Sequence, residues 1–217
     1  MSAPGRDRRM PFGRMAASVA AGYLIGTVPS ADVAARLASG GDIDLRTTGS
    51  GNPGAANAMS ALGARWGWGV LVADIAKGAG ACVAGSRLAG GAGADMAGTA
   101  AVIGHCYPIW NGFRGGKGVA VSSGQCLATF PAYFPIDLAV AWAVARSRGR
   151  ALPATAVASA AWVACAALWW RMSWPNGWAR TPGPTLPLTA AATSAVIMFR
   201  FATSARRQAP VAPVEAP

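Results

Sequence analysis

The sequence predicts an all-α polytopic membrane protein, with five to seven transmembrane helices joined by short loops that carry the polar motifs. Three observations predict this class. Six long apolar runs occupy most of the 217 residues. Only 12% of the residues are charged, about half of the ~25% usual for a soluble domain. The arginines gather between the apolar runs and at the ends of the chain.

A bilayer-spanning helix needs about 20 predominantly apolar residues, and the runs are read in order against that length. Met15–Ala35 is expected as the first span. Its basic lead-in, Arg6–Arg14, resembles that of a signal peptide. However, Gly26-Thr27-Val28-Pro29-Ser30 continues to Asp32 and Arg36 without a small-x-small cleavage pattern, so the run is read as retained. Trp66–Gly85 and Ala94–Trp110 follow as two further spans. The second of these also suits a buried helix of a soluble domain, but six such runs in one small domain would leave too little polar surface. Val119–Ala145 holds Pro131 and Pro135, which can split it into two shorter helices. Ala151–Trp170 and Leu186–Phe201 complete the set. A single domain is expected over residues 15–207, preceded by a basic tail at 1–14. The Pro/Ala/Val-rich stretch 208–217 is too short to pack and is expected to be disordered.

The formal net charge of +11 would suggest nucleic acid in a soluble protein. Here Arg146, Arg148 and Arg150, then Arg171 and Arg180, then Arg206 and Arg207 sit beside apolar runs, as expected of residues that meet anionic headgroups. No basic stretch carries interleaved aromatics, so no nucleic-acid partner is expected. Cys82, Cys106, Cys126 and Cys165 are widely spaced, and the chain has one histidine. That pattern supplies neither a zinc site nor a disulfide framework, and no metal or cofactor is expected.

Two glycine-rich polar segments interrupt the apolar chain. Glycine lets backbone approach a ligand closely, and consecutive N–H groups at a helix start attract anions. The first segment, Asp42–Asn57, holds Gly49-Ser50-Gly51-Asn52-Pro53-Gly54. Ser50, Asn52 and Asn57 offer side-chain donors, and Arg46 offers a fork suited to phosphate. The same residues also suit a turn-rich loop in which Ser50 or Asn52 caps the next helix. Asp74 and Lys77, three apart in an apolar run, share one helix face and can pair. Within a span such groups point to function, although a structural pair with Lys77 reaching for the interface has the same spacing.

The second segment runs from Gly104-His105 to Gly112-Phe113-Arg114-Gly115-Gly116-Lys117-Gly118. It looks like a nucleotide-binding P-loop and fails the pattern. Asn111 stands where the first glycine is required, and Gly118 where Ser or Thr would ligate magnesium. Arg114, Lys117 and the loop amides can still hold a phosphate. His105 suits a general base, an orienter of a phosphate oxygen, or a hydrogen-bonded structural residue. Some acyltransferases pair His with Asp five residues later; position 110 is Trp, which excludes that arrangement for His105.

These residues resemble the bacterial acyl-phosphate:glycerol-3-phosphate acyltransferases, the PlsY family. Gly49–Asn57 is similar to its first motif, GSGNxGATNxxR, and Gly104–Ala120 to its second, GHxxPxFxxFxGGKGVAT; Asp74, Lys77 and Gly78 match a D-x-x-K-G between them. The similarity is strong over roughly residues 20 to 125. It implies a small multi-pass enzyme of the bacterial inner (plasma) membrane that moves a fatty acyl group from acyl phosphate to the 1-hydroxyl of glycerol 3-phosphate. The products are lysophosphatidic acid and phosphate. Acyl phosphate is a mixed anhydride, so no covalent enzyme intermediate is required, and catalysis rests on positioning and charge stabilisation. The resemblance implies catalytic roles for Ser50, Asn52 and His105. It implies substrate binding by Gly49, Gly51, Gly54 and Asn57 of the first motif and by Gly115, Gly116, Lys117 and Gly118 of the second; Arg46, Lys77 and Arg114 join them as phosphate-binding candidates on their own charge. It also places the motifs at the cytoplasmic face, whereas Arg6, Arg8, Arg9 and Arg14 favour an inside N-terminus. Two departures stand out. Ser60 replaces the arginine that closes the first motif, and a third motif, HxxNIxRLxxGxE, is reduced after Arg200 to Phe201-Ala202-Thr203-Ser204-Ala205-Arg206-Arg207.

Overall fold

The protein was analysed as a computed structural model, which describes residues 12–146, 151–178 and 180–207. Residues 1–11 of the basic tail, Arg148 and Arg150, and the 208–217 tail lie outside these. The described residues form eight α-helices and one short 3-10 turn, with no strand among them. The helices are α1 (Phe12–Gly26), α2 (Ser30–Ser39), α3 (Ala55–Leu62), α4 (Ala64–Cys106), α5 (Val119–Thr129), α6 (Phe134–Arg146), α7 (Ala151–Met172) and α8 (Thr185–Arg207); the turn is Ile109–Asn111. Among the described residues three helices are long and apolar enough to cross a bilayer, those containing Ala64–Asn111, Leu152–Met172 and Thr185–Ser204.

The first apolar run is not one span, which corrects the expectation for Met15–Ala35. Helix α1 ends at Gly26 and α2 begins at Ser30. Pro29 precedes α2 and has no N–H with which to continue a ladder. The hydroxyl of Thr27 closes the end of α1 by donating to the Leu24 carbonyl at 2.7 Å. Val119–Ala145 divides as its prolines allow: α5 stops at Thr129 and α6 starts at Phe134.

Trp66–Gly85 and Ala94–Trp110 become the two antiparallel arms of α4. The helix reverses at Ala89 (φ −140°) and Gly90 (φ 62°, ψ −152°). Gly90 alone of the pair takes the left-handed φ that glycine adopts without strain. Beyond the turn, Gly85 lies against the carbonyl of Gly93 and Gly98 against the sulfur of Cys82. Small residues also seat α1 along the second arm. A Cβ on Gly22 would fall 2.7 Å from the Cα of Ala97, and one on Gly26 would fall 2.6 Å from the Cα of Ala101. This is the small-xxx-small contact by which helices pack in lipid without a hydrophobic driving force.

Gly26→Leu is therefore expected to lower the thermal midpoint of the detergent-solubilised protein by at least about 5 °C, the effect of overpacking a close helix crossing. Gly69→Leu, at a glycine with no neighbouring atoms within 4 Å, serves as the control and should leave the midpoint unchanged. Equal midpoints for both variants would discount the crossing.

Polar side chains pin the remaining helices. Thr193 on α8 donates to Gln125 of α5 at 3.0 Å, and Gln125 donates to Thr99 of α4 at 3.2 Å. Arg180, in the segment between α7 and α8, pairs with Asp95 of α4 at 3.1 Å. Buried apolar clusters fill the spaces between, one of them formed by Ala81, Ala101, Val102, Cys106, Val121 and Ile197 from α4, α5 and α8.

Candidate active site

The α4 hairpin brings Asp74 and Lys77 on its first arm to His105 at the end of its second. Lys77 Nζ lies 2.8 Å from Asp74 Oδ1, and His105 Nδ1 lies 3.8 Å from the same oxygen. All three are buried. Ser30, the first residue of α2, donates its hydroxyl to Asp74. Lys77 also donates to the Val28 carbonyl at 3.0 Å. The break between α1 and α2 thus serves the site: backbone released there accepts from a lysine that would otherwise sit in apolar surroundings.

The second loop closes over this group. Gly115 N–H donates to the Cys106 carbonyl at 3.1 Å, and Gly116 N–H donates to the His105 carbonyl at 3.2 Å. These two amides fasten the loop to the end of α4. They differ from the free anion-binding donors that the glycine pattern suggested. The glycines are required for another reason: a Cβ on Gly116 would land on the imidazole of His105, 2.9 Å from Cε1, with Nε2 nearer still. A water-sized cavity of ≈ 20 Å³ remains beside Ser30, Lys77, His105 and Gly116.

The first loop is tied to itself. Asn57, buried on α3, accepts from Ser50 N–H at 2.9 Å and donates to the carbonyls of Leu45 and Thr48, both at 2.9 Å. Gly49 and Gly51 have φ of 60° and 65°. Neither Ser50 nor Asn52 caps the next helix; Gly54 precedes α3, with no side-chain cap. Arg46 gives both terminal nitrogens to Asp32, at 2.6 and 3.0 Å, and its Nε to the Arg114 carbonyl at 3.1 Å. Those hydrogen bonds hold the Arg46 pKa above its ordinary value. Asn111 donates to the same Asp32 at 2.8 Å, so Asp32 ties α2 to both loops.

Between the loops lies a cleft of ≈ 340 Å³. Ser50, Gly51 and Asn52 line it from the first loop, Arg114 and Gly115 from the second, and Arg200, Thr203 and Ser204 from α8. Of the residues expected at the site, Arg46 lines both this cleft and the small cavity, and Lys77 and His105 line the cavity. Gly49, Gly54 and Asn57 shape the first loop without lining either space. Lys117 lines neither; its Nζ sits 4.4 Å above the ring of Phe201 on α8. Gly118 starts α5 at φ 87°. Reading the residues alone missed Ser30, Asp32 and Asn111, which act across 44 to 79 positions of sequence.

Helices of bilayer length, a buried ionic group and a loop-walled cleft lined by three arginines define a polytopic membrane protein with a basic site at one end of its bundle. Residues 16–209 match the model of a family described as glycerol-3-phosphate acyltransferase. The chain belongs to that family. A glycerol-3-phosphate acyltransferase of Gloeobacter violaceus is 42% identical over 158 residues, which cover 69% of this chain and 75% of the relative. One of Bacillus velezensis is 44% identical over 118 residues, covering 54% and 60%. Among solved structures, the glycerol 3-phosphate form of PlsY, an integral membrane glycerol 3-phosphate acyltransferase, superposes with a TM-score of 0.70 at 27% identity, covering 89% of this chain and 90% of that one. The lysophosphatidic acid form gives 0.68 at 25% identity, with the same coverage.

Proposed function

We propose that this membrane protein acylates glycerol 3-phosphate at its 1-hydroxyl, using acyl phosphate as donor. The hydroxyl oxygen forms an ester bond to the acyl carbon, and the anhydride bond to phosphate breaks. The hydroxyl proton leaves on a phosphate oxygen or through His105. Lysophosphatidic acid and phosphate are released. The observation that carries this reading is the cleft. It joins both glycine loops to α8 and is lined by Arg46, Arg114 and Arg200, which give it the positive potential that two phosphate-bearing substrates call for.

In this reading Ser50 and Asn52 orient the reacting groups from one wall, with Arg114 and the second loop on the other. His105 acts from the small buried cavity, with Asp74 3.8 Å from its Nδ1. Burial lowers the pKa of Lys117, and the charge of Arg200 lowers it further. In the same reading this end of the bundle faces the cytoplasm from a bacterial inner membrane, the side on which both substrates are expected.

The test is acyl transfer from palmitoyl phosphate to radiolabelled glycerol 3-phosphate by purified protein in lipid. Wild type should form lysophosphatidic acid, and Lys117→Ala should lose at least about 100-fold in rate, the usual effect of removing one charge-stabilising donor. No product from a wild-type preparation that binds glycerol 3-phosphate would move the proposal to another acceptor. In that case Ser60→Arg is the first variant to try.

A further inference from the structure

Helix α8 ends against the second loop at three points. Arg200 donates Nε to the Gly116 carbonyl at 3.0 Å and Nη2 to the Gly115 carbonyl at 2.6 Å. Its guanidinium lies 5.2 Å from the ring of Tyr107, which follows α4 directly. The next residue, Phe201, places its ring under the Lys117 ammonium and packs on the cluster formed by α4, α5 and α8. Two consecutive side chains therefore grip three consecutive loop residues. We infer that Arg200 and Phe201 are positioning residues that clamp the Gly115–Lys117 backbone and aim the Lys117 ammonium, so that the end of α8 sets substrate affinity without a third-motif histidine or asparagine.

The physical argument is one of matched donors and acceptors. The Gly115 and Gly116 amides already donate to the end of α4, and their carbonyls face α8. A planar guanidinium can serve two adjacent carbonyls at once, whereas an ammonium on a flexible stem cannot hold that geometry. The same loop thus has its N–H groups fixed by one helix and its C=O groups by another. Lys117 has four rotatable side-chain bonds and lines neither the cleft nor the cavity. An aromatic face offers its cation an attractive resting place that a phosphate outbids. The ring keeps the ammonium ordered near the cleft at little energetic cost to binding.

This inference rests on the acyltransferase reading for its kinetic arm and stands apart from it for its structural arm. In the kinetic arm, Phe201→Leu should raise the KM for glycerol 3-phosphate about tenfold with kcat within about threefold, and Phe201→Tyr should restore the wild-type value. Phe201→Leu combined with Lys117→Ala should be no worse than Lys117→Ala alone, since the ring acts through the lysine. Equal effects of Leu and Tyr, or additive effects in the double variant, would overturn the role given to Phe201. In the structural arm, trypsin cleavage after Lys117 reports the loop directly and needs no turnover. Arg200→Ala should be cut there at least about tenfold faster than wild type, and Arg200→Lys should be cut nearly as fast as Arg200→Ala. Restoration of protection by lysine would show that charge alone suffices and would overturn the clamp. If wild type proves inactive, the acyltransferase reading fails, while the cleavage pattern still decides the clamp.

Discussion

Replacing Gly116 with alanine is expected to abolish acyl transfer, by at least about 100-fold, in a protein whose helix content and detergent stability stay near wild type. The added Cβ meets the imidazole of His105. That ring is buried, with Asp74 3.8 Å from its Nδ1, and has little room to withdraw. The loop must then lift from the end of α4, breaking the hydrogen bonds from Gly115 and Gly116 to Cys106 and His105. A displacement of about 1 Å at reacting groups costs on the order of 100-fold in rate. Circular dichroism and the palmitoyl phosphate assay on the same preparation check this. Activity within fivefold of wild type would show that the packing of His105 against the loop does not matter to the reaction.

The second large effect is expected at Asp74. This carboxylate is the counter-charge of Lys77 at 2.8 Å and the acceptor for Ser30. Asp74→Ala leaves an ammonium buried among apolar helices, and breaking a buried pair in this way costs about 3–5 kcal/mol. At about 2–4 °C per kcal/mol for a chain of this size, the thermal midpoint should fall by roughly 6–20 °C. Removing both charges, as Asp74→Ala with Lys77→Met, should recover most of that stability because no ion is left stranded. It should not recover activity, because His105 then lacks its partner. Recovery of both would reduce the pair to a structural role.

Much of this could be read before the fold was known, for physical reasons specific to each feature. Apolar runs and prolines act locally, so most of the helices and the break after Thr129 followed from short windows of sequence, whereas the break at Pro29 inside Met15–Ala35 was passed over. Asp74 and Lys77 are three apart, and helix geometry alone predicts their pairing. The glycine loops were visible because few residue types can form them. What could not be read was set by contacts between distant segments. Ser30 reaches Asp74, Asp32 occupies the fork of Arg46, and Arg200 reaches Gly115 and Gly116 only after the helices pack. The use of the Gly115 and Gly116 amides was misjudged for the same reason. A glycine pattern states that backbone comes close to something; it does not say whether that is a ligand or the end of another helix.

The turn at Ala89 and Gly90 has a consequence for how the protein enters its membrane. Asp74, Lys77 and His105 all belong to one hairpin, so this ionic group is assembled from neighbours in synthesis, whereas Asp95 on the second arm waits for Arg180 beyond α7. The ammonium and carboxylate are within reach of each other as soon as the first arm coils, and the second arm needs only to fold back. The hairpin can therefore enter lipid with its Asp74–Lys77 pair already formed, before α5 to α8 exist. On this view the hairpin protects the ionic core of the site during biogenesis, and the later segments bring Arg180 to Asp95.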